Sequence, residues 1–149
     1  MTSVAALLLT AWLFSIVTAP LLPTAISVGV YAVGSLVCHQ LPERSFHLGM
    51  FQLPVCARCV GIYAGASFGA VVMLMPAGFG ARRFKDRFIF RRGRWTLVAG
   101  ALPTAATVML ETAGLWPTTN LVRAAAGFPL GLVAALVVVS ALATLNYRD

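Results

Sequence analysis

Charge is what this chain has least of. Only 10% of its 149 residues are Asp, Glu, Lys or Arg, and only four are acidic. A soluble domain carries about 25% charged residues. With 60% hydrophobic residues, a water-soluble globular fold is excluded, because too little polar surface is left to cover such a core. The length accommodates four or five membrane spans of roughly 20 residues each and no separate soluble domain, so residues 1–149 are expected to form a single transmembrane domain. The N-terminal stretch MTSVAALLLTAWLFSIVTAP has no basic residue ahead of its apolar run. A signal peptide normally opens with one, so a retained span is expected. An internal repeat is missing as well, which argues against the inverted-repeat carriers.

Cysteine and histidine are equally scarce, three and two respectively, and all five lie between Cys38 and Cys59. The odd cysteine count fits a purely structural disulfide poorly. A polar island in an apolar chain has therefore gathered every cysteine and histidine of the protein.

What the chain does have is apolar runs separated by clear breaks. They cover about Val4 to Thr18, Thr24 to Val37, Cys56 to Met75, Trp95 to Leu115 and Leu121 to Leu145, with Pro20 and Pro23 dividing the first two. The expected fold is all-α and membrane-integral, a small bundle of four spans. The 14-residue Thr24–Val37 run is short for a span and is read as an interfacial or re-entrant helix; if it crosses, there are five. Trp95 and Trp116 mark opposite ends of one segment as interfacial aromatics, about 31 Å of helix apart. Gly61, Gly65 and Gly69, and likewise Gly127 and Gly131, recur every four residues, the spacing by which helices approach closely in lipid.

Seven of the eleven basic residues sit between Arg82 and Arg94. In a soluble protein such a run suggests nucleic acid. Between two apolar segments it marks a cytoplasmic loop by the positive-inside rule, so no nucleic-acid partner is expected. This orientation makes the protein a multi-pass cell-membrane protein. It puts the Cys38–Cys59 loop on the extracytoplasmic side, together with the ends of the last two segments around Glu111 and Arg123.

The chemistry of the island rests on a Cys-His pair, sixteen residues, then Cys56-Ala57-Arg58-Cys59. Thiolates and imidazoles are the ligands zinc prefers. Cys38, Cys56 and Cys59 are candidate ligands for zinc or a similar transition metal, with His39 as the fourth ligand or a neighbouring base. Adjacent side chains point in opposite directions along an extended backbone, so His39 and Cys38 are awkward partners for one ion. Thiol redox is the competing reading, with Cys56 and Cys59 at a helix N-terminus and Cys38 as the exchanging thiol. A structural cysteine clip in a transporter or interaction subunit is the third. His47 is read as an ordinary loop side chain.

Ionisable groups within spans are functional by default. Glu111 is a candidate proton carrier, with Arg123, Arg58 or Arg44 as its partner. Arg123 with Asn120, and also Arg44 and Arg58, are candidate contacts for an anionic or lipid substrate, since guanidinium matches phosphate and carboxylate geometry. Membrane lipids are the expected surroundings. The oligomeric state is left open by the sequence.

Taken together, CHQLPERSF and LPVCARCVGIYAG resemble the hallmark of a prokaryotic integral-membrane family known as domain of unknown function 2085, with its CHQ-x-P-x-RSF and C-x-RC-x-G-x-Y motifs. The resemblance implies membrane location. It also assigns the later elements of the pattern, an acidic residue, an N-x-x-R element and spaced glycines, to Glu111, Asn120, Arg123, Gly127 and Gly131. The family's acidic position is often Asp, where this chain carries Glu111.

Overall fold

A computed structural model describes residues 2–74 and 89–145. Among them five helices dominate: α1 (Thr2–Thr18), α2 (Thr24–Val37), α3 (Ala57–Leu74), α4 (Ile89–Thr112) and α5 (Asn120–Leu145). The protein is an all-α membrane protein. Ser3–Leu21, Ala57–Leu74 and Asn120–Ala141 are each long and apolar enough to cross a bilayer. α4 has the length and runs antiparallel beside α5. Gly100 faces Pro129 and Val133, the Thr104 hydroxyl donates to the Ala126 carbonyl at 2.8 Å, and Glu111 pairs with Arg123.

α4 begins at Ile89, earlier than the Trp95 expected from hydropathy, and so takes in Arg91, Arg92 and Arg94. Arginine is a good helix former. Arg82, Arg83, Lys85 and Arg87 of the basic stretch lie outside the described residues.

The tightest seam joins α3 to α5. A methyl group added at Gly61 would run into the Ala124 carbonyl, at Gly65 into the Phe128 carbonyl, and at Gly131 into the Ile62 carbonyl. The two backbones therefore lie against each other with no side chain between them, which maximises dispersion where lipid gives no hydrophobic drive to associate. α1 lies antiparallel to α3. Ser67 donates to the Leu9 carbonyl at 3.0 Å, and Trp12 meets Tyr63 edge-on, ring centroids 6.2 Å apart. Pro103 lies inside α4 and Pro129 inside α5. Each removes a backbone donor, and the Thr104 bond to Ala126 ties the two helices just before Pro129.

α2, at 14 residues, is shorter than the three candidate spans. Its N-terminus follows the short 3-10 turn Ala19–Leu21 that closes α1. Its C-terminus delivers Cys38 into an apolar cluster with Ile16 and Val55. Both ends thus lie at one end of the bundle, and α2 rests there on the polar island. Gly34 permits that seat: a side chain there would meet the Pro54 carbonyl at 2.5 Å.

The island is more ordered than a loop. Ser45–Leu48 (β1) and Phe51–Cys56 (β2) form an antiparallel hairpin, with Leu48 opposite Phe51, His47 opposite Gln52 and Ser45 opposite Cys56, and an irregularity between Ser45 and His47. Gly49 turns the chain with φ 63°, a left-handed conformation that glycine adopts at little cost. β2 then runs straight into α3, so Cys56 ends the strand and Cys59 lies in the first turn of the helix.

Candidate functional site

The sulfur group is assembled from three directions. Cys38 comes from the end of α2, Cys56 from the end of β2 and Cys59 from the first turn of α3. Their sulfurs all lie within 4.8 Å of one another. Cys56 and Cys59 are 3.5 Å apart. The three are free thiols, far from the ~2.05 Å of a disulfide bond. Cys38 is buried with Ile16 and Val55, and the other two are half-buried against that cluster, as are Trp12, Val60 and Tyr63.

Two features favour thiolate here. The Cys56 amide donates to the Cys38 sulfur at 3.1 Å, and the α3 N-terminus directs its amide dipoles at Cys56 and Cys59. The Cys56 thiol is accordingly pulled down to about 5, chiefly by the hydrogen bond from the neighbouring Cys59 thiol and against the opposing effect of burial.

The donor set fits a soft, four-coordinate ion. At a zinc–sulfur bond of ~2.3 Å, tetrahedral ligands sit about 3.8 Å apart, and the observed 3.5 Å pair is close to that spacing. Among the described residues no fourth His, Cys, Asp or Glu joins the group. His39 is exposed and stands outside it. The backbone accounts for this: α2 ends at Val37 and Cys38 is extended, φ −144° and ψ 138°, so consecutive side chains diverge. His47 is also exposed, on β1.

A second cluster lies beside the first, and Arg58 connects them. Its backbone forms the turn between Cys56 and Cys59. Its guanidinium reaches out to Glu111 Oε1 and to the Thr107 hydroxyl, each at 3.4 Å. Arg123 donates to the same Oε1 at 3.0 Å, and the Thr118 hydroxyl donates to it as well. The Glu111 side chain is only 7% exposed, with Arg58 at 17% and Arg123 at 13%. Two guanidinium groups on one carboxylate leave the cluster one positive charge in excess.

The remaining bonds tie this cluster to the island. Arg123 holds Asn120 Oδ1 at 2.7 Å and the Glu43 carbonyl at 3.4 Å. The Asn120 amide donates to the Ser45 carbonyl at 2.9 Å. Thr119 caps α5, accepting from the Val122 amide. The candidate residues Arg58, Glu111, Asn120 and Arg123 are thus in one place. Arg44 is exposed and takes no part among the described residues.

Sequence reasoning passed over Gln40, Gln52 and Ser45. Gln40 is the pin of the island. Its amide donates to the Tyr31 carbonyl at 2.9 Å and the Pro54 carbonyl at 2.7 Å, while its own carbonyl accepts from Gln52 at 2.6 Å. Its backbone is left-handed, φ 51°. Ser45, fully buried, donates to the Leu41 carbonyl at 2.8 Å. For Gln40 and Ser45 the available signal was their place inside CHQLPERSF, a run too polar to be lipid-facing and too rich in amide and hydroxyl groups to be left unpaired when buried. Gln40 yields a sign test. Alanine keeps the left-handed strain, ~1–2 kcal/mol for a residue with a Cβ, and loses the bonds; glycine loses only the bonds. Gln40→Ala is expected to unfold at a lower temperature than Gln40→Gly in detergent micelles. The reverse order would mean that the backbone at this position is not left-handed.

With both clusters on the page, comparison with known proteins places the chain. Residues 38–137 match the family DUF2085, described as a predicted membrane protein. The chain belongs to the DUF2085 family. That match begins at Cys38 and takes in every residue of both clusters. An uncharacterised protein of Methanocaldococcus jannaschii is 35% identical over 106 residues, 71% of this chain. An uncharacterised protein of Methanothermobacter thermautotrophicus is 28% identical over 97 residues, 64% of this chain. The chain spans 64% of the first relative's own length and 78% of the second's. No solved structure matches this DUF2085 protein.

Proposed function

We propose that this DUF2085 protein binds a zinc-like transition-metal ion through Cys38, Cys56 and Cys59 at the extracytoplasmic face of the cell membrane. The observation that supports this reading is the mutual approach of three sulfurs, delivered by three separate elements, to within 4.8 Å. A redox CxxC needs two sulfurs. The third, brought from the end of α2 and given an amide donor of its own, suits coordination.

Three protein ligands and an open fourth position are the pattern of a catalytic rather than a closed structural site. An ion so held supplies Lewis acidity. We extend the proposal to a metal-dependent membrane enzyme acting on an anionic or lipid substrate. In this reading Arg123 and Asn120, with Arg58, attract and orient the anionic group through the excess positive charge. Glu111 holds the two guanidinium groups in register and is the candidate proton carrier. His39, exposed next to Cys38, is the candidate base from the solvent side.

Protein purified without metal-affinity resin is expected to carry about one zinc equivalent per chain by elemental analysis, as a three-thiolate site predicts. The metal should be lost in Cys56→Ser and in Cys38→Ser. Loss in Cys56→Ser but not in Cys38→Ser would remove Cys38 from the site. A metal-free chain whose intact mass rises by two hydrogens on reduction would replace this reading with a membrane thiol–disulfide oxidoreductase using Cys56, Cys59 and Cys38. A metal-free, fully reduced chain that is unaffected by loss of the thiols would leave only the transporter or interaction-subunit reading.

A further inference from the structure

The first 42 residues contain no Asp, Glu, Lys or Arg, yet α2 is only 14 residues long and both of its ends lie at one end of the bundle. Its apolar side chains are uncovered on more than one side: Leu36 is 83% exposed, and Ile26, Val28, Val33 and Val37 are exposed with it. The hairpin that supports α2 ends in an apolar tip where Met50 is 94% exposed, flanked by exposed Leu48 and Phe51. Leu21, Leu115, Trp116 and Leu121 are also exposed at this end of the bundle. The end that carries both clusters is thus rimmed with large apolar groups, in a geometry that water would penalise. Monomeric proteins rarely leave contiguous apolar surface of this kind uncovered.

We infer that α2 and the hairpin tip, Leu48 to Phe51, form a platform seated in the headgroup–acyl boundary of the bilayer. Three observations select lipid over a protein partner. The apolar surface continues directly from the span Ser3–Leu21, whose own exposed side chains Leu7, Leu8 and Phe14 need lipid. Trp116, exposed midway along the connection between α4 and α5, is the residue type that favours the headgroup layer. The polar residues of the island, His39, Glu43, Arg44 and His47, lie between the apolar ones in sequence, as in a segment lying at an interface with one side wet. α2, about 21 Å long, lies at the spans' ends, so the sulfur group and the Arg123 cluster sit at headgroup depth and not in bulk water. The inference stands whether or not the sulfurs hold a metal.

The test is Met50→Trp and, separately, Phe51→Trp, in the full chain reconstituted into phosphatidylcholine vesicles, read as emission added over the native protein. The added tryptophan is expected to emit to the blue of a water-exposed indole. It should be quenched more by phospholipid brominated near the top of the acyl chain than by phospholipid brominated near the chain terminus. Two results would overturn the platform. Red-shifted emission that bromolipids leave unchanged would place the tip in water. Blue-shifted emission that bromolipids leave unchanged would place it against protein, and a second copy of the chain would then be the occupant. Should Met50→Trp fail to fold, Leu36→Trp on α2 carries the same expectation.

Discussion

Glu111→Met is expected to destabilise the folded protein by about 3–5 kcal/mol, the usual cost of removing one partner from a buried ion pair. The physical reason is what it leaves behind. Arg58 and Arg123 both direct a guanidinium at Glu111 Oε1, at 3.4 and 3.0 Å, and both side chains are largely buried. Without the carboxylate, two like charges face each other in a region of low dielectric. Arg58 Nε is already buried with no partner among the described residues, so the group has little to fall back on. The triple variant Arg58→Met/Glu111→Met/Arg123→Met should recover most of the loss, because replacing a whole buried ionic triad by apolar side chains is often close to neutral. Thermal unfolding in detergent micelles of the single and triple variants checks both parts. A Glu111→Met protein as stable as the parent would mean that the carboxylate does not bridge the two arginines. A triple variant no better than the single would mean that the cluster works through bonds to the island, such as Arg123 to the Glu43 carbonyl, more than through charge.

Gly131→Leu is expected to break the α3–α5 seam and abolish the fold, and Gly131→Ala to cost about 1–3 kcal/mol or more as an overpacked contact. A Cβ at position 131 meets the Ile62 carbonyl, carbon and Cα. These are backbone atoms, and no rotamer change can move them aside. Relief requires the helices to part. Gly127, one turn earlier, faces the Arg58 carbonyl, so parting them also draws Arg58 away from the α5 start that carries Asn120 and Arg123. Gly29→Ala is the control. It lies in α2 with nothing within 4 Å of an added Cβ, and alanine in place of glycine should stabilise a helix by roughly 0.5–1 kcal/mol. Unfolding midpoints of the three variants test the seam. Equal effects at positions 29 and 131 would mean that α3 and α5 do not meet through their glycines.

Much of this architecture was legible from residue types alone, because the properties involved are local. Hydropathy located α1, α3 and α5, and four-residue glycine spacing marked the α3 and α5 faces that now meet. Motif spacing singled out Cys56 and Cys59. Position near a span end singled out Glu111 and Arg123, although sequence left Arg123, Arg58 and Arg44 as alternative partners for the carboxylate. Two of them share it and Arg44 stands apart.

What the sequence settled by itself was membrane residence, the positions of the apolar segments and the gathering of all thiols and imidazoles into one island, since each follows from composition within a few turns of chain. The tertiary structure alone decided that α2 returns to the end it started from, that the island folds as a hairpin pinned by Gln40, and that Cys38 reaches Cys56 and Cys59 while His39 turns away. Those outcomes depend on how close two backbones can come and where buried amides find acceptors. Both are set by residues far apart in the chain.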